Sequence, residues 1–96
     1  MMESAYETKD TVGQLKTILV KDLGLNLRES DIPDDISLLE GGLALDSVVI
    51  AEFIGHMEDQ FGFRFDDQNL RVDLFENLTT LAEFVGDKSR ATRKTA

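Results

Sequence analysis

The chain has 96 residues and a formal net charge of −9, with nineteen acidic against ten basic residues. This length predicts one domain, and the acidic surface argues against nucleic acid as a partner because it would repel phosphates. The sequence contains no cysteine, which excludes disulfides, thiolate metal sites and a protein thiol nucleophile. No apolar run is long enough to span a membrane, and residues 1–10 lack the pattern of a secretory signal. We therefore expect a cytoplasmic protein that does not span a membrane.

The first predicted helix has an apolar stripe at three- and four-residue spacing, formed by Val12, Leu15, Leu19 and Leu23. Asp10 or Thr11 can cap its start. Gly24 can end it in a left-handed turn. The helix is therefore predicted to extend from about Val12 to Leu23.

Residues 25–45 show no such periodicity and are interrupted by Pro33 and by the Gly41-Gly42 pair. They nevertheless contain eight large apolar residues. The sequence therefore predicts a long loop that packs against the core instead of moving freely in solvent.

Helical periodicity returns from Ser47 to Phe61, with an apolar face formed by Ile50, Phe53, Ile54, Met57 and Phe61. One short helical turn is predicted around residues 72–75. A final helix follows, capped by Asn77, Thr79 or Thr80. The pattern predicts an all-α protein with three main helices, one short helix and no strand.

Charge is unevenly distributed along the chain. Residues 1–87 contain all nineteen acidic and six basic residues, whereas residues 88–96 contain four basic and no acidic ones. Residues 88–96 have no large apolar side chain that could pack on a core. They are predicted to be a basic, disordered tail and not an extension of the last helix.

The candidate catalytic residues do not form a recognisable enzyme site. The single histidine, His56, follows Ser47 by nine positions on the same predicted helix, which places it about 13 Å away on the opposite side. It cannot activate that serine. The acidic pairs Asp34-Asp35 and Asp66-Asp67 lack the spacing of a calcium-binding loop. We expect neither an enzyme nor a metal site.

The start of the second main helix carries the most specific motif. Asp46 and Ser47 are ordinary residues for a helix start, where their oxygens accept free backbone N–H groups. Residues 45–48 (Leu-Asp-Ser-Val), followed by Glu52 and by residues 58–62 (Glu-Asp-Gln-Phe-Gly), nevertheless resemble the acyl carrier protein family. The resemblance covers about residues 12–85.

This resemblance implies a small four-helix bundle, with three main helices, one short helix and a long loop after helix one. It implies an acyl carrier domain over residues 1–87. We also expect the protein to be a monomer. The resemblance further implies that Ser47 carries 4′-phosphopantetheine, transferred from coenzyme A by a separate phosphopantetheinyl transferase. A phosphodiester there would lie at a helix N-terminus, which favours anions. The arm would also supply the thiol that the chain lacks.

By the same resemblance the second helix is the docking face for partner enzymes. Asp46 is expected to help the transferase identify the serine. Val48, Glu52 and Asp59 are expected to be recognised by the enzymes that load and transfer acyl groups. Glu52 and Asp59 can equally be plain solubilising charges.

Three positions depart from the family pattern. Ala44 stands where the family usually has glycine, Val49 where housekeeping fatty-acid carriers commonly have an acidic residue, and Gly55 where an apolar side chain is more frequent. These departures favour a specialised lipid, polyketide or envelope-lipid pathway over general fatty acid biosynthesis. A peptidyl or aminoacyl carrier and an unmodified acidic helical adaptor are the alternatives.

Overall fold

The computed structural model describes the backbone of residues 2–68 and 70–95 and the side chains of residues 8–68 and 70–90. Within these ranges it contains three α-helices and no β-strand, which confirms the predicted all-α class. The helical elements, in chain order, are α1 (Met2–Thr17), a π-helical turn (Ile18–Asp22), a first 3₁₀ helix (Glu29–Asp31), α2 (Ser47–Phe61), a second 3₁₀ helix (Val72–Phe75) and α3 (Leu78–Thr95). No helix in the described ranges is long and apolar enough to cross a membrane.

The first helix starts earlier than its apolar stripe indicates. It begins at Met2, so the predicted start at Asp10 or Thr11 is wrong. Residues 2–10 contain neither proline nor glycine. No residue in this segment therefore breaks the helix. At the other end Gly24 has a φ of +71°. This left-handed conformation strains residues with a Cβ, and it confirms the predicted helix end.

The end of α1 widens into a π-helical turn. Leu23 N donates a hydrogen bond to Ile18 O at 2.9 Å. Ile18 and Leu19 remain buried, whereas Asp22 is exposed and Leu23 is half-buried. The turn packs against α2, so its last residues lie beside that helix.

The core combines one face of each α-helix with residues from both connections. The largest fully buried side chains are Phe53, Leu15, Ile18, Leu19, Ile32, Leu38, Met57, Leu78, Leu81 and Val85. In α2 the predicted apolar face is confirmed, with Phe53 and Met57 fully buried. Its other members are partly buried and pack against this core, namely Ile50, Ile54 and Phe61.

Four phenylalanines close the core after α2. The ring centroids of Phe63 and Phe65 are 4.9 Å apart, and those of Phe65 and Phe84 are 5.5 Å apart. Phe75 lies 6.5 Å from Phe65. The backbone N–H of Phe65 donates to Glu58 Oε2 at 2.9 Å, so a side chain of α2 satisfies this group and aromatic packing holds the segment.

The connection between α1 and α2 is anchored to the core. Ile32 and Leu38 are buried, which confirms that this apolar segment packs inward. Leu38 N donates to Phe75 O at 2.9 Å, and Leu78 N donates to Ile36 O at 2.9 Å. The two backbone hydrogen bonds attach the connection to the end of the second 3₁₀ helix and to the first residue of α3.

Asp34 ties the same connection to two helices. Lys16 Nζ of α1 lies 2.5 Å from Asp34 Oδ1, and Thr79 Oγ1 of α3 donates to Asp34 O at 2.8 Å. The hydrogen bond from Lys16, together with its positive charge, holds the pKa of Asp34 below its usual range. The connection therefore has a defined position relative to both helices.

The start of α3 is capped by a side chain. Asn77 Oδ1 accepts hydrogen bonds from Thr79 N at 2.9 Å and from Thr80 N at 3.2 Å. Of the three predicted caps, Asn77 is the one that the helix uses. It satisfies two backbone donors that have no partner within the helix.

The basic end of the chain is helical. The prediction that the last helix stops before residue 88 is wrong, since α3 continues to Thr95. Ser89 is only 4% exposed, and Lys88 Nζ lies 5.6 Å from the centroid of the Phe84 ring. The burial of Ser89 shows that the first turn of the basic segment packs on the rest of the protein, and the contact between Lys88 and Phe84 lies within α3 itself. Residues 88–95 contain no helix-breaking glycine or proline. Residue 96 lies outside the described residues, and the division of the chain at residue 87 stays a prediction.

Candidate functional site

The segment before α2 is folded on itself and presents the start of the helix. Its backbone hydrogen bonds, between 2.9 and 3.0 Å long, run from Gly42 N to Leu39 O, from Leu43 N to Ser37 O, from Ala44 N to Leu39 O and from Leu45 N to Leu38 O. Since Leu38 is fully buried, this turn is anchored in the core. Ser47, the first residue of α2, therefore follows a turn whose position is fixed by hydrogen bonds and by the core.

Gly42 is required by a close approach within this turn. A Cβ at Gly42 would lie 2.0 Å from Ser37 O and 2.7 Å from Ser37 C. Both are backbone atoms, so a side chain could be accommodated only if the turn opened. The sequence contained no signal for this contact because it depends on the path of the turn.

Ala44 adopts an unusual conformation in the same turn. Its φ is +51°, and among the described residues it is the one non-glycine residue with a positive φ. A Cβ in the left-handed region costs about 1–2 kcal/mol. The structure thus gives a physical reason for the glycine usual at this position, and Ala44 carries strain three residues before Ser47.

Asp46 is the cap of α2, and Ser47 is not. Val49 N donates to Asp46 Oδ1 at 2.9 Å, and Ile50 N donates to Asp46 O at 3.0 Å. Ser47 is exposed, and its hydroxyl forms no hydrogen bond with the described part of the protein. The amides of Ser47 and Val48 belong to the first helical turn, where backbone donors have no acceptor within the helix. The arrangement is an exposed hydroxyl at the positive end of a helix dipole.

The outer face of α2 carries the other predicted site residues. Val48 is 66% exposed, and Glu52 and Asp59 are exposed as well. Glu52 and Asp59 line one open groove of about 310 Å³, whose other lining residues are Asp22, Leu23, Gly55 and His56. Asp46, Ser47 and Val48 do not line it. The structure therefore divides the predicted residues into a group at the start of α2 and a separate acidic groove.

Asp22 and Leu23 were not recognised as site residues from the sequence. Asp22 is the last residue of the π-helical turn and Leu23 is its C-cap, and this turn packs against α2. No residue pattern indicated the turn. A Cβ at Gly55 would meet nothing within 4 Å, so no neighbouring helix requires a glycine there. Within the ranges that the structure describes, no group of three or more His, Cys, Asp or Glu side chains could hold a metal ion.

The chain matches the model of a known family. A family model described as a phosphopantetheine attachment site matches residues 13–86. The comparisons with curated proteins and with solved structures gave no match. The matched range includes all of α2 and the turn that precedes it.

Replacing Gly42 by alanine tests the close approach in the turn. Gly42→Ala is expected to lower the free energy of unfolding by about 1–3 kcal/mol, since the new Cβ must displace backbone atoms of Ser37. Urea unfolding followed by circular dichroism measures the change. The control is Gly13→Ala, where a Cβ meets nothing within 4 Å and alanine favours the helix by about 1 kcal/mol. Equal stability of the two variants would contradict the close approach.

Replacing Ala44 by glycine tests the strain before Ser47. Ala44→Gly is expected to raise the free energy of unfolding by about 0.5–1 kcal/mol, since relief of the left-handed Cβ outweighs the added flexibility of the unfolded chain. The same unfolding measurement applies. Ala51→Gly, on the exposed side of α2, serves as control and is expected to lower stability by about 1 kcal/mol. A loss of stability in both variants would show that Ala44 is unstrained.

Proposed function

Because the chain belongs to the phosphopantetheine attachment site family, we propose that it is an acyl carrier protein with its arm on Ser47. Members of this family are non-catalytic carriers with covalently attached 4′-phosphopantetheine. They interact with a phosphopantetheinyl transferase and with partner enzymes. The protein is therefore a carrier and not an enzyme, and Ser47 is our assignment of its attachment point.

The observation that carries this assignment is the separation of capping from modification at the start of α2. If Ser47 were the cap, attaching a group to its oxygen would replace the hydroxyl by a poorer acceptor and weaken a hydrogen bond that the helix needs. Asp46 Oδ1 accepts the bond from Val49 N instead. Ser47 can therefore be modified while the cap stays intact.

The start of α2 also fits the phosphodiester of the arm. The free amides of the first turn and the helix dipole favour an anion there by up to about 1 kcal/mol. Ser47 is exposed, which allows a transferase to approach it. When attached, the arm supplies a thiol that holds the acyl group as a thioester. Its flexibility makes delivery to a docked enzyme nearly intramolecular.

Docking is assigned to Val48, Glu52 and Asp59, with Asp46 contributing to recognition by the transferase. A carrier has to leave each enzyme after delivery, so its contacts need fast association without long residence. Exposed carboxylates beside a small apolar group meet this need, because complementary charge increases the association rate more than the lifetime of the complex. The exposure of all three docking residues supports this role.

The residues around Ser47 favour an acyl carrier over a peptidyl or aminoacyl one. Asp46 before the serine resembles acyl carriers, whereas peptidyl carriers commonly have Gly-Gly-His-Ser. Ala44, Val49 and Gly55 favour a specialised lipid, polyketide or envelope-lipid pathway. We further propose that the fold is a four-helix bundle with a long first loop. The protein is proposed to be a monomer and to be cytoplasmic.

Intact mass spectrometry tests the attachment point. After incubation with coenzyme A and a broad-specificity phosphopantetheinyl transferase, the wild type is expected to gain one arm and Ser47→Ala none. Ser30→Ala, which removes another exposed serine, is expected to be modified like the wild type. A folded wild type that stays unmodified with several competent transferases would favour an acidic adaptor.

A charge reversal tests the docking role of Glu52. Glu52→Lys is expected to slow modification about three- to tenfold at low salt, because it reverses a charge that attracts the partner. The defect is expected to shrink as salt screens the interaction. Glu83→Lys changes the net charge equally from an exposed position on α3 and is the matched control. Equal rates for the two variants would remove Glu52 from the docking face.

A further inference from the structure

A small pocket lies between the second 3₁₀ helix and α3. Its volume is about 190 Å³, and it is lined by Gln68, Arg71, Asp73, Leu74, Thr80 and Phe84. Leu74 and Phe84 are half-buried and give it an apolar floor, whereas the other lining residues are polar and exposed. Within the described part of the chain, its lining includes no residue of α2. The pocket is therefore separate from the outer face of α2 and from the acidic groove.

Two cations lie at this pocket although the chain is strongly acidic. Arg71 is one of its lining residues and is 69% exposed. Its Nη2 donates to Asp73 Oδ2 at 3.1 Å, which leaves most of the five guanidinium donors available. Thr80, Phe84 and Lys88 follow each other at four-residue spacing and form one stripe along α3. Both cations are therefore close to a ligand that packs on Phe84.

Lys88 lies over the open side of the Phe84 ring. Its Nζ is 5.6 Å from the ring centroid. The Phe65 ring stacks on Phe84 with the centroids 5.5 Å apart and 17° between the planes, so Phe65 covers one face and Lys88 lies over the other. Lys88 forms no ion pair with the described residues. Its charge is therefore available to an anion that enters the pocket.

The lining of the pocket selects a ligand with an apolar part and a carboxylate end. A volume of about 190 Å³ has room for roughly six small non-hydrogen groups, because a water molecule occupies about 30 Å³ in the liquid. Leu74 and Phe84 can pack against a short run of methylene groups. Arg71 can bind a carboxylate through two parallel hydrogen bonds, and Lys88 adds a second positive charge. Three methylene groups that end in a carboxylate match this volume and this charge.

The pocket lies within reach of an arm on Ser47. Leu45 N donates to Leu38 O, and Leu38 N donates to Phe75 O, both at 2.9 Å. Backbone segments joined in this way lie about 4.8 Å apart, so Phe75 is about 10 Å from Leu45. Ser47 is at most about 7 Å further along the chain, and Phe75 directly follows Leu74 of the pocket. The arm has about as many chain atoms as five residues and extends to about 17 Å, so its end can reach the pocket.

We propose that this pocket holds the free end of a dicarboxylic acyl group carried on the arm. The methylene groups of the cargo pack on Leu74 and Phe84, and its terminal carboxylate pairs with Arg71 and Lys88. The carrier thereby distinguishes a short dicarboxylic cargo, such as a glutaryl group, from a simple fatty acyl group. This inference rests on the proposed carrier function, because it names the class of cargo that the arm on Ser47 delivers.

Two cargoes that differ only at the charged end test the proposal. The transferase loads the ¹⁵N-labelled chain from an analogue of glutaryl-coenzyme A or from its carboxamide counterpart, each with NH in place of the thioester sulfur so that the cargo stays attached. Amide chemical shifts are compared with those of the chain with an unloaded arm. The glutaryl cargo is expected to shift Leu74, Thr80 and Phe84, and the carboxamide at least about threefold less. Equal shifts from both cargoes, or shifts confined to α2, would overturn the proposal.

Variants that remove one positive charge separate the pocket from general attraction to cations. Arg71→Gln is expected to reduce the glutaryl-specific shifts about two- to fivefold. Lys88→Met, which keeps an apolar stem on Phe84, is expected to reduce them by a similar factor. Arg28→Gln is the matched control, because Arg28 is also exposed and also pairs with an aspartate, and it is expected to have no effect. A reduction of equal size in this control would contradict the pocket, and circular dichroism confirms that each variant is folded.

A titration of the unmodified chain separates this inference from the carrier function. N-methylglutaramate has the same carboxylate end without the arm, and N,N′-dimethylglutaramide is its uncharged control. The charged compound is expected to shift Leu74, Thr80 and Phe84 at least about twofold more than residues beside Lys21 and Arg28. Equal shifts at all these positions, or equal shifts from the uncharged compound, would overturn the carboxylate site even if the arm attaches. Failure of arm attachment in the mass measurement would overturn the carrier function without altering this titration.

Discussion

The hydrogen bond from Val49 N to Asp46 Oδ1 is the interaction on which the candidate site depends. It ends the preceding turn and starts α2 at a defined residue. Because Asp46 is the cap, Ser47 keeps an exposed hydroxyl that the helix does not use. One carboxylate therefore both fixes the helix start and leaves the neighbouring side chain available for chemistry.

The turn that precedes α2 contains a strained residue and is fixed to the core. Ala44 is held at a φ of +51°, and Gly42 packs directly against the backbone of Ser37. Such conformations persist only where the surrounding structure determines them strongly. Here the buried side chain of Leu38 and its backbone hydrogen bond to Phe75 anchor the turn. The core thus holds the segment that presents Ser47, while Glu52 and Asp59 on the outer face of α2 are exposed.

The sequence by itself determined the local features of this protein. The all-α class, the apolar face of α2 and the end of the first helical segment before Gly24 follow from residues a few positions apart, because helical periodicity and termination are local properties. The motif around Ser47 also lies within a few residues, so the sequence was enough to predict Ser47 as the attachment point. The lengths of α1 and α3 could not be predicted as well from the sequence. Both helices extend through residues that have neither an apolar stripe nor a signal that ends the helix.

Only the tertiary structure decided how distant segments meet. The sequence offered Asp46 and Ser47 as equivalent caps, and the path of the chain assigned that role to Asp46. The groove lies where Asp22, at the end of the π-helical turn, comes near Glu52 and Gly55 of α2. Contacts of this kind depend on the packing of segments that are far apart along the chain. Local periodicity contains no information about them, whereas the buried core fixes them.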